Sequence, residues 1–248
     1  MFQPGFMFSR LRLLYYLLFL RNGRRAKGDS FMTKKKVSKR QKPKLSVTHK
    51  VMQVEAILDN EGYVEKVRID GGYMIGAEGE RLTFDDVIFK DVSFAGSDLA
   101  RAEFVDVVFD TCDLSNVNFQ GAMFHRCEIV NSKLTGADFA NAKVGHTLIK
   151  ECDGRYINFS FSSMKEVEFA ECNLTDGDIY ESSFNNVQFK VCKLDNINFT
   201  ETDLNGVDLS DSTYDRIEVT LPKIAGCIVS KDQAIGFARV LGLSVKEE

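Results

Sequence analysis

Apolar residues recur in this chain at every fifth position over a long stretch. Counting from Phe84 in steps of five gives twenty-eight positions up to Val219, and all are apolar except Gly154. The position two before each of these centres is a small or β-branched residue or Cys, apart from Leu82. Helices require an apolar spacing near 3.6 and strands a spacing of 2, so a strict spacing of five predicts a coil that turns every five residues.

Residues twenty apart resemble one another, and this sets the number of quintets in a coil. Stacked residues of a solenoid share one environment and are expected to repeat with the period of the coil. One small inward column reads Ala102, Ala122, Ala142, Ser162, Ser182 and Thr202. One outward column reads Asp98, Asn118, Asp138, Asn158, Asp178 and Asn198. Four quintets to a coil predict an all-β tube of square cross-section, with about seven coils over residues 82–219.

The quintets resemble those of the pentapeptide-repeat family, whose loose consensus is a small residue, Asp or Asn, Leu or Phe, and two variable positions. Good matches are Ser97-Asp98-Leu99, Ala137-Asp138-Phe139 and Val207-Asp208-Leu209. The resemblance implies a right-handed quadrilateral parallel β-helix over residues 82–219. It is specific for the fold and says little about function.

Segments on both sides of the repeat are predicted to cover its ends. Residues 51–81 contain an alternating run from Tyr63 to Ile69 and then a turn, which predicts an N-terminal cap made of a strand or hairpin. In the C-terminal segment 220–248, Ser230 followed by Gln233 is typical of a helix start. The apolar spacing after it predicts one capping helix over about 231–241, followed by a tail.

The last part of the chain also resembles the ending of bacterial pentapeptide-repeat proteins, including the Qnr-type quinolone-resistance group. The residues that carry this likeness are Gly226-Cys227-Ile228-Val229-Ser230 and Leu241-Gly242-Leu243. Members of that group pair through this end, so the resemblance implies a homodimer formed by the C-terminal ends.

Residues 1–50 are strongly basic and are predicted to be a disordered N-terminal segment. The apolar run from Leu13 to Leu20 is too short to span a bilayer, and no small-x-small cleavage site follows it, so we expect a cytoplasmic protein. Lys27-Gly28-Asp29 can be encoded by a ribosome-binding sequence, and Met32 follows closely. We hypothesise that the native start is Met32 and that residues 1–31 are leader sequence.

The residues that most often carry chemistry fall in packing or surface positions. Five of the six cysteines occupy the small inward slot, where a buried thiol acts as an apolar filler: Cys112, Cys127, Cys152, Cys172 and Cys192. His125 and His146 lie on adjacent coils near basic residues, which favours a solvated surface over a catalytic or metal site. We expect no enzyme activity, no metal and no cofactor, because a regular coil supplies no cleft.

The repeat region is acidic. Residues 82–219 carry a net charge of −14, from twenty-five Asp and Glu against eleven Lys and Arg. Seven coils at about 4.8 Å are about 34 Å long, and B-DNA of that length carries on the order of 20 charges. Together with the Qnr-type resemblance, this indicates a DNA mimic that binds a type II topoisomerase, gyrase or topoisomerase IV, and modulates quinolone sensitivity. The predicted binding residues are Asp98, Asp138, Asp178, Asp208, Glu168, Glu171, Glu181 and Glu201.

Outward aromatic residues support a second reading. Tyr156, Phe161 and Tyr180 are predicted to form an exposed patch near the defect at Gly154, where the missing side chain leaves a gap or permits a bulge. Exposed aromatic residues commonly anchor protein interfaces. The alternative function is therefore a scaffolding module for an unidentified protein, in which the acidity serves only solubility.

Overall fold

The computed structural model describes residues 39–53, 62–74, 82–240 and 243–246. Strands β1 to β4 are Lys50–Val51, Tyr63–Asp70, Thr83–Lys90 and Glu103–Asp110, and β5 to β8 are Met123–His125, Glu128–Val130, Lys143–Gly145 and Leu148–Lys150. Strands β9 to β12 are Ser163–Ala170, Ser183–Lys190, Ile197–Asn198 and Ile217–Glu218. A 3₁₀ helix, Leu221–Ile224, and helix α1, Lys231–Val240, follow.

Successive coils stack in parallel with a register of twenty residues. Phe84 pairs with Phe104 and Phe89 with Phe109, and isolated bridges continue the same offset on the other sides. We number the four sides of a coil by their first centres: side 1 by Phe84, side 2 by Phe89, side 3 by Phe94 and side 4 by Leu99. The predicted right-handed quadrilateral β-helix is confirmed, with about eight turns.

The chain passes from one side to the next at residues with positive φ, two positions after each centre from Phe84 to Leu204. This left-handed backbone region favours Gly, Asn and Asp. The first corner, after side 1, is the column Asp86, Asp106, Arg126, His146, Glu166 and Asn186. The fourth corner, after side 4, is the column Arg101, Gly121, Asn141, Phe161, Glu181 and Glu201.

The interior of the tube is filled by the residues that the five-residue frame predicts. Phenylalanine rings stack from coil to coil, with ring centroids 5.2 Å apart for Phe84 and Phe104 and 5.1 Å apart for Phe169 and Phe189. The predicted packing role of the five inward cysteines is also observed, since each is buried. Stacked rings and small fillers form one continuous core along the tube.

The space left by the missing side chain of Gly154 is filled by neighbouring residues, and the coil keeps its register there. The neighbouring Asp153 pairs with Lys133 and Asn173, as the twenty-residue offset requires. A Cβ atom added to Gly154 would lie 3.0 Å from Cδ2 of Leu174 and 3.6 Å from Cδ1 of Ile157. The side chain of Leu174 therefore takes the space that a larger residue at position 154 would need.

The region 51–81, predicted as a strand or hairpin cap, includes a strand that continues the tube. Strand β2 pairs in parallel with β3, Tyr63 opposite Thr83 and Ile69 opposite Phe89. Val64, Ile69 and Met74 are buried at three earlier positions of the five-residue frame, which reaches them after Gly79. The alternation in β2 is thus the inward and outward pattern of a further coil.

At the other end, α1 covers the last coil and matches the predicted helix. The Ser230 hydroxyl accepts the Gln233 N–H at 3.3 Å, and Gln233 Oε1 accepts the Ser230 N–H at 2.8 Å. This reciprocal pair is a capping box. The Gln233 amide also donates to the carbonyl oxygens of Leu209 and Ser212, at 2.9 and 2.8 Å. One side chain thus caps the helix and fixes it to the coil below.

Residues 1–38 lie outside the described residues, and with them the apolar run, the proposed start at Met32 and most of the predicted disordered segment. In the part of the chain that the structure describes, no helix has the length and apolar character needed to cross a membrane.

Candidate binding surface

Side 4 carries a ladder of alternating Asp and Asn residues. Asn118 donates from Nδ2 to Asp98 Oδ1 at 2.9 Å, and Asn158 and Asn198 donate in the same way to Asp138 and Asp178. Because every second rung is an amide, the carboxylates stand two coils apart, about 10 Å at the spacing of strands. The alternation removes the repulsion that stacked carboxylates would cause and still leaves an acidic column.

Each Asp or Asn of this ladder also stabilises the backbone turn that follows it. The Asp98 carboxylate accepts the N–H of Ala100 at 3.0 Å, and Asp178 accepts that of Tyr180 at 3.1 Å. Asp and Asn bond the backbone two residues on in this way in Asx turns. The Asp residues predicted for binding on side 4 therefore have a structural role as well as a surface charge.

Beside this ladder, the fourth corner combines acids and aromatic rings. Phe161, Glu181 and Glu201 occupy consecutive coils of the corner and are exposed. The ring of Phe161 lies 5.4 Å from that of Tyr180 in an edge-to-face arrangement. The charge of Glu181 raises the pKa of Tyr180 above its ordinary value. We call this surface, made of Phe161, Asp178, Tyr180, Glu181 and Glu201, the acidic-aromatic edge.

The remaining predicted acids lie on the other side of the tube. Glu168 and Asp208 are on side 2 and Glu171 is at the corner that follows it, whereas Asp98, Asp138 and Asp178 are on side 4. The Glu168 carboxylate pairs with Lys190 at 2.8 Å, and Glu171 pairs with Lys150 at 3.5 Å. Within the described ranges, no such ion pair involves Asp178, Glu181 or Glu201. The eight predicted acids thus form two groups, and only the group on side 4 and its corner presents unpaired charge together with aromatic rings.

The predicted aromatic patch is partly continuous. Phe161 and Tyr180 touch, while Tyr156 lies at the corner on the opposite end of side 4 in the coil of Phe161. Tyr156 and Phe161 are 60% and 52% exposed and have φ of 60°. A left-handed conformation at a residue with a Cβ costs roughly 1–2 kcal/mol. At these two positions the rings are in solvent, although Gly or Asn would adopt the left-handed backbone conformation at a lower energy.

The first corner differs, because residues 40–49 lie against it. We call residues 40–49 the strap. The strap passes from Arg40, which pairs with Glu128 at 3.2 Å, to His49, whose ring lies 2.9 Å from Asp86 Oδ1. Composition predicts disorder for this basic segment, and its hydrogen bonds to the corner contradict that prediction over residues 40–49. Its backbone groups find partners in the column of side chains, which a prediction from composition does not consider.

In the contact between the strap and the first corner, the negative charge of Asp106 is paired with a positive one. Arg126 donates to the Asp106 carboxylate through Nε at 2.7 Å and through Nη2 at 2.5 Å. Burial raises the pKa of the Asp86 and Asp106 carboxyls, but the hydrogen bonds they accept outweigh it and leave both pKa values below the ordinary range. Ser46 and His49 supply these bonds to Asp86, and Arg126 and Lys44 supply them to Asp106.

The two histidines are less exposed than predicted. Their rings are 5.6 Å apart, and His146 is buried beneath the strap, where Nδ1 accepts the Gln41 N–H at 3.4 Å. Burial lowers the pKa of both imidazoles. The expectation of a solvated surface is therefore wrong for His146, because residues far from it in sequence cover it.

The thiols of Cys112 and Cys127 offer little reactivity. Burial raises the pKa of Cys112 and Cys127 to about 12, and their sulfur atoms donate to backbone carbonyls of the coil below. No group of three or more His, Cys, Asp or Glu side chains among the described residues is placed to hold a metal ion.

The fold and its repeat define a class, the four-sided β-helices built from five-residue units. A profile described as "Pentapeptide repeat region" matches residues 102–176 and 162–230, together more than half of the chain. The chain belongs to the pentapeptide repeat family. No protein of curated function matches its sequence.

One solved structure supports this fold, and a second comes from a protein of the same family. A trypsin-treated variant of QnrB1, a plasmid-mediated fluoroquinolone resistance protein, aligns with a TM-score of 0.54 and 20% identity, over 75% of this chain and 91% of that chain. HetL, a pentapeptide repeat protein involved in heterocyst differentiation regulation from the cyanobacterium Nostoc sp. strain PCC 7120, aligns with a TM-score of 0.28 and 12% identity, over 78% and 88%.

Proposed function

We propose that this chain is a non-enzymatic binding protein that presents its acidic-aromatic edge to a basic protein surface. The observation that carries the proposal is the position of Glu181 and Glu201 beside the Phe161–Tyr180 pair. Unpaired carboxylates attract Lys and Arg, and aromatic rings stack on guanidinium groups. The edge is therefore complementary to a surface that carries arginine and lysine side chains.

We infer that the partner is a type II topoisomerase, DNA gyrase or topoisomerase IV, whose DNA-binding groove is basic. The fold likeness to QnrB1, described as a fluoroquinolone resistance protein, supports this choice. The chain would then mimic DNA along side 4 and modulate quinolone sensitivity in the cytoplasm. The side 4 ladder supports mimicry by placing three carboxylates in a straight row, and the lysine pairs of Glu168 and Glu171 argue against side 2 as the mimic.

A gyrase supercoiling assay with and without a quinolone tests the proposal. Wild-type protein should inhibit supercoiling or protect it from the drug. The double variant Glu181→Gln/Glu201→Gln should need about fivefold more protein for the same effect, the equivalent of roughly 1 kcal/mol. Raising the salt concentration should weaken the wild type more than the variant.

The matched control is Glu168→Gln/Glu171→Gln, which removes the same number of acids from the opposite side. This control should behave like the wild type. An equal loss in both double variants would mean that net charge, not the edge, is recognised. No effect of the wild type at micromolar concentration would exclude gyrase as the partner.

We also propose a homodimer through the C-terminal end. An open apolar cavity of about 250 Å³ is lined there by Ile224, Cys227, Val229, Ala234, Phe237, Ala238 and Leu243. Such a surface next to a capping helix fits a second copy. Light scattering should give a dimer mass for the wild type and a monomer mass for Phe237→Asp.

The second candidate function is a scaffold for an unidentified protein. Exposed rings at Tyr156 and Phe161 favour it, because exposed aromatic residues commonly anchor protein interfaces. Affinity capture from the source cell would separate the two. A partner lost on Phe161→Asn but unaffected by Glu181→Gln/Glu201→Gln would support the scaffold.

A further inference from the structure

The strap contacts the first corner through its main chain. The N–H of Gln41 donates to His146, the N–H of Lys44 to Asp106 Oδ1 at 2.8 Å, and the N–H of Ser46 to Asp86 Oδ1 at 2.9 Å. Each acceptor belongs to a different coil. These three bonds are made by the extended backbone of the strap, and the Ser46 hydroxyl and the His49 ring add side-chain bonds to Asp86.

The repeat lengths of the strap and the tube match from Gln41 to Lys44, whereas Ser46 and His49, three residues apart, both bond Asp86 of one coil. Arg40, Pro43, Ser46 and His49 are less exposed than the residues between them, so every third residue faces the tube. This is the period of polyproline II, which rises about 9.3 Å in three residues, and two coils rise about 9.6 Å. The step from Gln41 to Lys44 accordingly passes from His146 to Asp106, two coils away.

The coil between these two acceptors supports the same contact. Its corner residue, Arg126, turns toward Asp106 and forms two hydrogen bonds with the carboxylate. Asp106 is thus held in place by the arginine while it accepts the strap N–H. The acceptor is prepared by the tube itself and does not require the strap side chains.

Polar contacts dominate the strap. Val47 is 102% exposed, while Leu45, at 38% exposure, is partly covered. Burial of apolar surface is the main contribution that holds protein segments together, so the hydrogen bonds to the two aspartates and His146 decide how firmly this segment is held. Lys42 and Lys44 are exposed, and the charge of Lys44 helps to lower the pKa of Asp106, which makes the contact sensitive to charge.

We propose that the first corner is a docking groove for an extended, lysine- and proline-containing segment, which the strap occupies reversibly and which accepts the same sequence in trans when the strap is displaced. The groove is formed by Asp86, Asp106 and His146, with Arg126 as the positioning residue. This second surface is separate from the acidic-aromatic edge and does not depend on the topoisomerase proposal.

The test uses the full chain carrying Ser46→Glu. The Ser46 hydroxyl donates to Asp86, so a carboxylate at position 46 repels Asp86 and weakens the strap. A fluorescein-labelled peptide with the sequence of residues 39–49 should bind this variant saturably, at least about tenfold more tightly than wild type, in which the strap competes. Adding Asp86→Ala and Asp106→Ala to the variant should abolish binding.

The matched control is Val47→Glu, which places the same charge on a strap residue that faces solvent. This control should bind the peptide as weakly as wild type. The proposal is overturned if the peptide binds all four chains alike, or if it fails to bind folded Ser46→Glu, with folding checked by circular dichroism.

A measurement on the unaltered chain keeps the proposal open to refutation if the variants do not fold. In ¹⁵N-labelled wild type, excess unlabelled peptide should move the amide signals of Gln41, Lys44 and Ser46 to the positions of a released segment. Signals that stay in place at saturating peptide would show that the strap is not exchangeable and would overturn the proposal.

Discussion

The first and fourth corners of the tube carry acids at equivalent backbone positions but use them differently. Asp86 and Asp106 are short, buried and bonded to the strap, while Glu181 and Glu201 are longer and exposed beside aromatic rings. All four have positive φ and lie two residues after an inward centre. Backbone position alone therefore does not decide what an acidic residue does, because its neighbours on adjacent coils and in the strap determine whether the charge is available.

The comparison also changes the meaning of the net charge of the repeat. A uniform acidic rod would offer any side to a basic groove. Here the first corner is covered by a basic segment, and Lys150 and Lys190 pair with acids at or near side 2. Of the acids predicted for binding, those on side 4 and its corner are the ones that lie beside exposed aromatic rings.

The largest difference between the corners should appear in stability. Asp106→Ala should lower the free energy of unfolding by about 3 kcal/mol, because it leaves the largely buried Arg126 guanidinium without its partner. Glu181→Ala should change it by less than about 0.5 kcal/mol, as expected for a surface substitution. Urea denaturation of both variants measures the difference, and equal losses would contradict the distinction between the corners.

A smaller effect of opposite sign is expected for bulky residues at left-handed corners. Val191 has a φ of 53° and is 61% exposed, so Val191→Asn should raise the free energy of unfolding by about 1 kcal/mol. Phe161→Asn should raise it by about half as much, since the contact with Tyr180 is lost.

Binding separates these two substitutions. Val191→Asn should leave partner capture unchanged, whereas Phe161→Asn should weaken it despite the gain in stability. Thermal unfolding and capture assays on the same samples provide the check. If Phe161→Asn captured as much partner as the wild type, the ring would have no binding role.

The sequence predicted the tube because its signal is local and repeated. Each quintet contributes an inward centre such as Phe109 or Phe169, and stacking requires only that the period be kept. The same frame continues through Val64, Ile69 and Met74, so the additional coil could have been found from sequence. The capping box at Ser230 and Gln233 could be predicted equally well from the sequence, since its residues are three positions apart.

The arrangement of the surface could not be predicted to the same extent. The period shows that Glu168 and Asp178 face outward, and counting sides places them opposite each other, but the lysine pairs depend on side-chain directions between coils. The contact between the strap and the first corner joins residues as distant in sequence as Gln41 and His146. No periodic pattern in the sequence indicates that contact. Composition alone made this segment resemble a disordered tail.

The smallest predicted effect concerns pH at the covered corner. Burial lowers the pKa of His146, and among the groups facing it Lys165, Arg126 and Arg40 lower it while Glu166 raises it. A lowered pKa means that the neutral imidazole is favoured in the folded state, so its contribution is present above the ordinary value of about 6.5 and is lost as pH falls through the folded-state pKa. Protonation of Nδ1 removes the acceptor for the Gln41 N–H, a long bond whose loss should cost about 0.5 kcal/mol.

The Gln41 amide signal should therefore titrate with a midpoint below about 6.5, and His146→Asn should remove that titration. The Lys44 amide should hold its position until the pH approaches the lower pKa of Asp106, because that carboxylate remains charged through the histidine range. Simultaneous movement of the Gln41 and Lys44 amides would instead mean that the strap leaves as one unit and that His146 controls the whole contact.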